Sequence, residues 1–260
     1  MHNRHIKPIY NRSLLPPDQR DRLDVVLVSP RNPLNIGAVA RGMANFGFVR
    51  LRVVAPFAEH WREARSAVGA PELLANAAEC ATLAEAVAAC TLVVGTGTLT
   101  YRKAEQPVVP LPELAPLLAA EFARGGRVAL VFGPEKHGLT RDDLSYCNVL
   151  VEIPTDVRQP SMNLGQAAAV CLYEVAVRSA QAEPAAQPAG STAPSGSLDR
   201  LAELIEQIMS AAEYSPASMQ AANRHDLRLL LRRLHLDAHD TRRAMGFFRR
   251  VLRRLMRPRP

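Results

Sequence analysis

The chain of 260 residues is 48% apolar with a net charge of +7, enough apolar material for one full core and a second, smaller unit. It has no run of about 18 apolar residues, which excludes a predicted membrane-spanning helix, and its four cysteines form no CxxC pair, which removes the usual thiolate-metal and dithiol signatures. The charge is uneven: residues 224–260 hold twelve Arg against three Asp, a net +9, whereas residues 1–223 hold twenty Lys plus Arg against twenty-two Asp plus Glu, a net −2. A basic tail on a near-neutral body points to a polyanion partner.

In chain order, residues 1–22 lack the central apolar stretch of a secretory signal and are expected to be a disordered extension. "DVVLVSP" predicts a buried strand at 25–29 and leads into "SPRNPLNIGAVARGMANFG" (29–47), where Asn35 and Gly37 turn the chain into a helix over 35–46. "RLRVVAP" predicts a strand at 51–55, a helix follows at 83–89, and "TLVVGTG" predicts a strand at 91–95. The "GTGT" that ends it lacks the third glycine of a dinucleotide fingerprint. A helix at 112–124 precedes a strand at 127–132 and the loop of "LVFGPEKHGLT" (130–140). Gly133 and Gly138 have P-loop spacing, but Leu139 stands where the phosphate-binding lysine belongs, so that loop serves another ligand. "VLVEIP" predicts a strand at 149–153, followed by "EIPTDVRQPSMNLGQAAAV" (152–170), in which Ser161 and Asn163 precede an Ala-rich helix. Helix capping explains both on spacing alone.

Strands alternating with helices over 23–178 predict an α/β domain with a mainly parallel sheet. Three of its loops, 29–47, 130–140 and 152–170, each follow a strand, so all lie at the carboxyl edge, where open parallel sheets bind ligands. Cys80, Cys90, Cys147 and Cys171 lie in or beside apolar stretches, as buried free thiols do. Residues 179–197, rich in Ala, Pro, Ser and Gly, predict a flexible linker. Beyond it, helices are predicted at 198–213, 216–235 and 239–256, a basic helical extension spanning 198–260. Leu227, Leu230, Leu231 and Leu234 form one apolar face, and Met245, Phe248, Leu252 and Leu255 another, beside Arg249, Arg250, Arg253 and Arg254. So many arginines exceed what solubility requires and point to RNA. No HExxH, GxSxG or Cys/His metal pattern occurs, so neither metal nor serine chemistry is expected.

The motifs "NIGAVARGM", "FGPEKHGL" and "PSMNLGQAAAV", in this order, resemble the three motifs of the TrmH-type branch of the SPOUT RNA methyltransferases. The C-terminal stretch "LIEQIMSAAEY" through "LRLLLRRLHLDAHDTRRAMGFFRRVL" is similar to the TrmJ-type tRNA (cytidine/uridine-2′-O-)-methyltransferase subfamily. The resemblance implies a sheet with a C-terminal trefoil knot, a cytoplasmic homodimer, S-adenosyl-L-methionine as cofactor, no metal, and methylation of a tRNA ribose 2′-hydroxyl at nucleotide 32. A ribosomal-RNA target and a non-catalytic RNA-binding relative are the alternatives. Carried over, Thr96, Gly97, Thr98, Gly133, Ile153, Pro160, Ser161 and Met162 form the cofactor pocket. Arg41 meets the substrate, with Asn35, Ser161 and Asn163 orienting it or the ribose, Glu135 organises the pocket and with it Arg41, and Arg102 and Lys103 add positive charge for RNA. Lys136 and His137 are expected in solvent. Pro134 and the spacing around Arg102 depart from the subfamily pattern and leave the target nucleotide open.

Overall fold

The computed structural model describes residues 14–97, 104–185, 192–214 and 216–257. In chain order the elements are α1 (Pro17–Arg20), β1 (Leu23–Val28), α2 (Pro33–Phe46), β2 (Arg50–Val54), α3 (Pro71–Ala75), β3 (Ala78–Cys80), α4 (Leu83–Val87), β4 (Leu92–Thr96) and β5 (Val108–Pro110). They continue with α5 (Leu114–Ala123), β6 (Val128–Phe132), α6 (Arg141–Leu144), β7 (Val149–Glu152), α7 (Leu164–Arg178), α8 (Ser195–Ala211), α9 (Gln220–Arg233) and α10 (Ala238–Leu255).

The strands form one seven-stranded sheet in the order β3-β2-β1-β6-β4-β7-β5, and every pairing is parallel. Parallel strands are covered on both faces, which is why the predicted strands read as unbroken apolar runs. Val25 and Leu27 enter one core with Ile36, Met43, Leu130 and Leu172. Val26 and Val28 point the other way, into a core with Val87, Val131, Leu139 and Cys147. β7 lies between β4 and β5, the strands that residues 97–107 connect. The two short strands β3 and β5 carried no periodic signal and were absent from the sequence reading. All four cysteines are buried and free, and burial pushes the Cys90, Cys147 and Cys171 thiols up to about 12, out of reach of thiolate chemistry.

Three expectations need correction. Residues 14–22 are part of the fold: Leu15 is fully buried, its N–H donates to Ala176 O at 2.8 Å, and Arg22 donates to Phe122 O at 2.9 Å. The segment expected to link the domains is docked at its far end. Ser195 N donates to Cys90 O at 2.8 Å and Gly196 N to Ala88 O at 3.0 Å, so carbonyls beyond α4 satisfy the first donors of α8 and that helix starts at Ser195. Helix α9 is also rotated from the face predicted for it: Leu230 and Leu234 are exposed, whereas His225, Leu229, Leu231 and Arg232 are buried. Carboxylates and carbonyls of the body draw its basic side chains inward. α8, α9 and α10 share a small core in which Leu201, Ala202 and Leu231 meet Leu227, Met245 and Phe248.

Leu15→Ala is expected to lower unfolding stability by about 2–5 kcal/mol, the range for truncating a fully buried leucine. A urea melt indistinguishable from wild type would show that residues 14–22 do not hold to the fold.

Candidate active site

Because the sheet is parallel, the loops after β1, β6 and β7 emerge at one edge. The loop after β6 folds back on itself. A side chain at Gly133 would place its Cβ 2.2 Å from Leu139 N and 2.3 Å from Gly138 C, so only glycine fits. Gly138 has a left-handed φ of 64°, and its N–H donates to Pro134 O at 2.8 Å. Leu139, at the place of a P-loop lysine, is fully buried and anchors the loop to the core. The glycine spacing thus serves a tight fold-back rather than phosphate.

Glu135 projects from this loop to the turn before α2. Its carboxylate accepts from Arg31 N at 3.0 Å, Asn32 N at 3.1 Å and Asn35 Nδ2 at 2.9 Å. Burial pushes this carboxyl up, but the hydrogen bonds from Asn35 and from backbone N–H groups outweigh it, and the net shift is downward. Asn35 passes the connection on: its Oδ1 accepts from Asn163 Nδ2 at 2.9 Å. Asn163 caps α7, its Oδ1 accepting from Gly165 N at 2.9 Å and Gln166 N at 3.4 Å. Asn163 is therefore both the helix cap that spacing suggests and a member of the site. Asn35 is not the start of α2. That role falls to Asn32, whose side chain accepts from Leu34 N, with Pro33 at the first helical position.

Between the loops after β4, β6 and β7 lies a cavity of about 290 Å³. Of the pocket residues expected from sequence, Thr96, Gly97, Gly133, Ile153, Pro160, Ser161 and Met162 line it. Thr98 lies outside the described residues, as do Arg102 and Lys103. Sequence reasoning missed Leu139, Leu144, Leu150, Leu164 and Ala167 in the wall, because their apolar character reads as core and only the sheet edge turns them toward a cavity. Lys136 and His137 are exposed but also line the mouth. The lining is apolar with a few polar groups, the make-up of a small-molecule site.

Arg41 stands apart. It is exposed on α2, six residues and about 9 Å along the helix from Asn35. Among the described residues it makes no hydrogen bond or ion pair. Asn35 and Asn163, expected to orient it or the ribose, bond to one another, to Glu135 and to backbone. Ser161 is exposed at the cavity wall. Arg249, Arg250, Arg253 and Arg254 are exposed along α10.

The SpoU rRNA Methylase family model matches residues 22–173. The tRNA (cytidine/uridine-2′-O-)-methyltransferase TrmJ of Pectobacterium atrosepticum is 32% identical over 228 residues, covering 85% of this chain and 92% of its own length. The tRNA (cytidine/uridine/adenosine-2′-O-)-methyltransferase TrmJ of Pseudomonas aeruginosa is 39% identical over 156 residues, 60% of each chain. Among solved structures, TrmJ from Z. mobilis superposes with a TM-score of 0.76 at 28% identity, covering 88% of this chain and 98% of that one.

The depressed Glu135 carboxyl contributes stability that is present above its unfolded-state value and lost as pH falls through its lower folded-state value. Glu135→Gln should therefore destabilise by about 1 kcal/mol at pH 7, near the low end for charged hydrogen bonds because the group is half-buried. The deficit should shrink as the wild-type carboxyl protonates below its folded value. Denaturant melts across pH 2.5–7 check this (the range is about that of carboxylate titration), and a constant deficit would show that the charge is not what holds the turn.

Proposed function

Because the chain belongs to the SpoU rRNA methylase family, we propose that it methylates a ribose 2′-hydroxyl of tRNA, at nucleotide 32 of the anticodon loop, in the cytoplasm and as a homodimer. It is a methyltransferase whose cofactor is S-adenosyl-L-methionine. The observation that supports this reading best is the cavity walled by three strand-end loops, in a chain that resembles tRNA 2′-O-methyltransferases over most of its length.

The lining suits that cofactor. Ile153 and Met162 would offer an apolar surface to adenine, and Gly97 and Gly133 would allow close approach of backbone. Thr96, Pro160 and Ser161 complete the set that would hold it. Bound there, S-adenosyl-L-methionine supplies an electrophilic sulfonium methyl group. The chain's own residues must present the ribose and manage its proton. A 2′-hydroxyl is a poor nucleophile at neutral pH, so charge that develops on its oxygen needs stabilisation. Glu135 is unsuited to take the proton, since its oxygens already accept three N–H donors. Among the described residues the Arg41 guanidinium has no hydrogen-bond or ion-pair partner, and a guanidinium stays protonated. Its role in this reading is to hold phosphate and stabilise the developing alkoxide while the hydroxyl proton leaves to solvent water. Asn35 and Asn163 set the loop geometry, and Ser161 lines the cavity.

The assembly reading draws support from α2 and α7, which pack together and leave Leu34, Val170 and Tyr173 exposed. The tRNA reading draws support from α10 and its exposed arginines, with Arg102 and Lys103 as further contacts. Among the described residues, no helix is long and apolar enough to cross a membrane.

Mass-spectrometric mapping of 2′-O-methyl groups should show tRNA nucleotide 32 unmodified in a deletion strain. Wild-type protein should restore the group and Arg41→Ala should fail to, while still folding and binding cofactor. Restoration by Arg41→Ala would reduce Arg41 to a surface residue, and loss of a ribosomal methyl group instead would redirect the substrate to ribosomal RNA. Reversing Arg249, Arg250, Arg253 and Arg254 to Glu should weaken tRNA binding at low salt, with a loss that narrows as salt rises, because phosphate contacts release counterions. Filter binding over a salt series measures this, and unchanged affinity at low salt would mean the face is only solvated.

A further inference from the structure

Helix α9 presents three basic side chains to the body rather than to solvent. His225 is 5% exposed, and its Nε2 lies 2.7 Å from Glu105 Oε2. Arg228 donates to Asp142 Oδ1 at 2.8 Å and lies over the Tyr146 ring, 4.2 Å from its centroid. Arg232, 3% exposed, donates to Tyr146 O at 2.9 Å and Ser195 Oγ at 2.8 Å, and pairs with Asp199 at 2.9 Å. Offsets of three and four residues bring the three onto one side of the helix.

Their acceptors on the body belong to two segments that adjoin the cavity. Glu105 lies between β4 and β5, close before β5, which pairs with β7. Asp142 and Tyr146 lie in and just after α6, which continues directly from the loop that carries Gly133 and Glu135. The two segments are joined to each other: Arg141 donates to both Glu105 oxygens, at 2.8 and 3.3 Å, and Gln106 Nε2 donates to Leu144 O at 2.5 Å. Leu144 itself lines the cavity. The Glu105 carboxyl is lowered to about 2, by its hydrogen bond with Arg141 first and with His225 second. Held ionised it can only accept, so the His225 Nε2 carries the proton.

We propose that α9 is a clamp on the wall of the cofactor cavity, with His225 and Arg228 as positioning residues that act through Glu105 and Asp142. The C-terminal extension then sets cofactor affinity as well as RNA contact. By linkage, any RNA that alters this docking and the cofactor in the cavity change each other's affinity by the same factor. This rests on the cavity being the S-adenosyl-L-methionine site.

The test uses full-length protein, with S-adenosylhomocysteine as the calorimetric probe and hydrogen exchange of residues 138–146 as a readout that needs no ligand. His225→Ala and Glu105→Ala should each raise Kd by about three- to tenfold, and the double variant should bind no worse than Glu105→Ala alone, the non-additivity of coupled partners. His225→Gln, which keeps a donor for the carboxylate, should restore most of the affinity. Exchange over 138–146 should quicken in His225→Ala without ligand. Should that variant fail to fold, Glu105→Gln carries the same test from the exposed side of the pair. Wild-type affinity together with unchanged exchange would overturn the clamp, as would strictly additive effects of the two alanines. Wild-type protein that ignores S-adenosylhomocysteine would contradict the cofactor reading instead, leaving the exchange result to decide the clamp.

Discussion

The site depends on one carboxylate. A parallel sheet brings the ends of β1, β6 and β7 to one edge, but it does not fix the loops that leave them. Glu135 does so for the first two, by accepting N–H groups of the turn that opens α2, about a hundred residues earlier in the chain. Asn35 extends the connection to Asn163 and the start of α7. Ordering three loops loses conformational entropy, and a hydrogen-bonded charge satisfied by several donors is among the stronger polar ways to offset it. Removing the carboxylate would leave those donors without an acceptor as well as untying the loops.

From that connection the remaining geometry follows. With Glu135 held toward α2, the loop after β6 must fold back, which demands Gly133 and places Leu139 in the core. With Asn163 held against Asn35, α7 starts close beside α2. A Cβ at Gly165 would come within 2.7 Å of Ala38 Cβ, so a glycine is needed in that first turn. The network satisfies its own members and leaves Arg41, farther along α2, with no partner among the described residues. An arginine so placed beside a preorganised edge is suited to a ligand that brings its own negative charge. The C-terminal helices then brace the same wall from behind, through Arg228, Arg232 and His225.

Much of this was legible in the sequence, for identifiable reasons. Five buried strands announced themselves because both faces of the sheet are covered, so Val25 to Val28 and Val128 to Phe132 read as unbroken apolar runs. The cavity residues came from the resemblance of the three motifs to a known family, and at Gly133 the glycine is needed because the loop folds back onto Gly138 and Leu139. The short strands β3 and β5 were invisible because three residues cannot show a period. Leu15 was hidden in a polar, proline-rich stretch whose average composition says disorder, although its buried side chain, its backbone bond to Ala176 and the bond from Arg22 to Phe122 dock the segment. The docking of α9 was illegible for a different reason. Arg228 and Arg232 belong by type to a solvated face, and their acceptors, Asp142 and the Tyr146 carbonyl, lie more than eighty residues away. Nor could spacing show that Asn35 and Asn163 bond to each other rather than to Arg41.

The most direct measurement is a crystal structure of the full-length protein with S-adenosylhomocysteine. Three loops tied by Glu135 predict density for the molecule between Gly133 and Met162, with the Glu135–Asn35–Asn163 hydrogen bonds unchanged. Ordered density at another place, or an empty cavity at concentrations that saturate binding in solution, would contradict the assignment of this edge of the sheet as the methyl-transfer site.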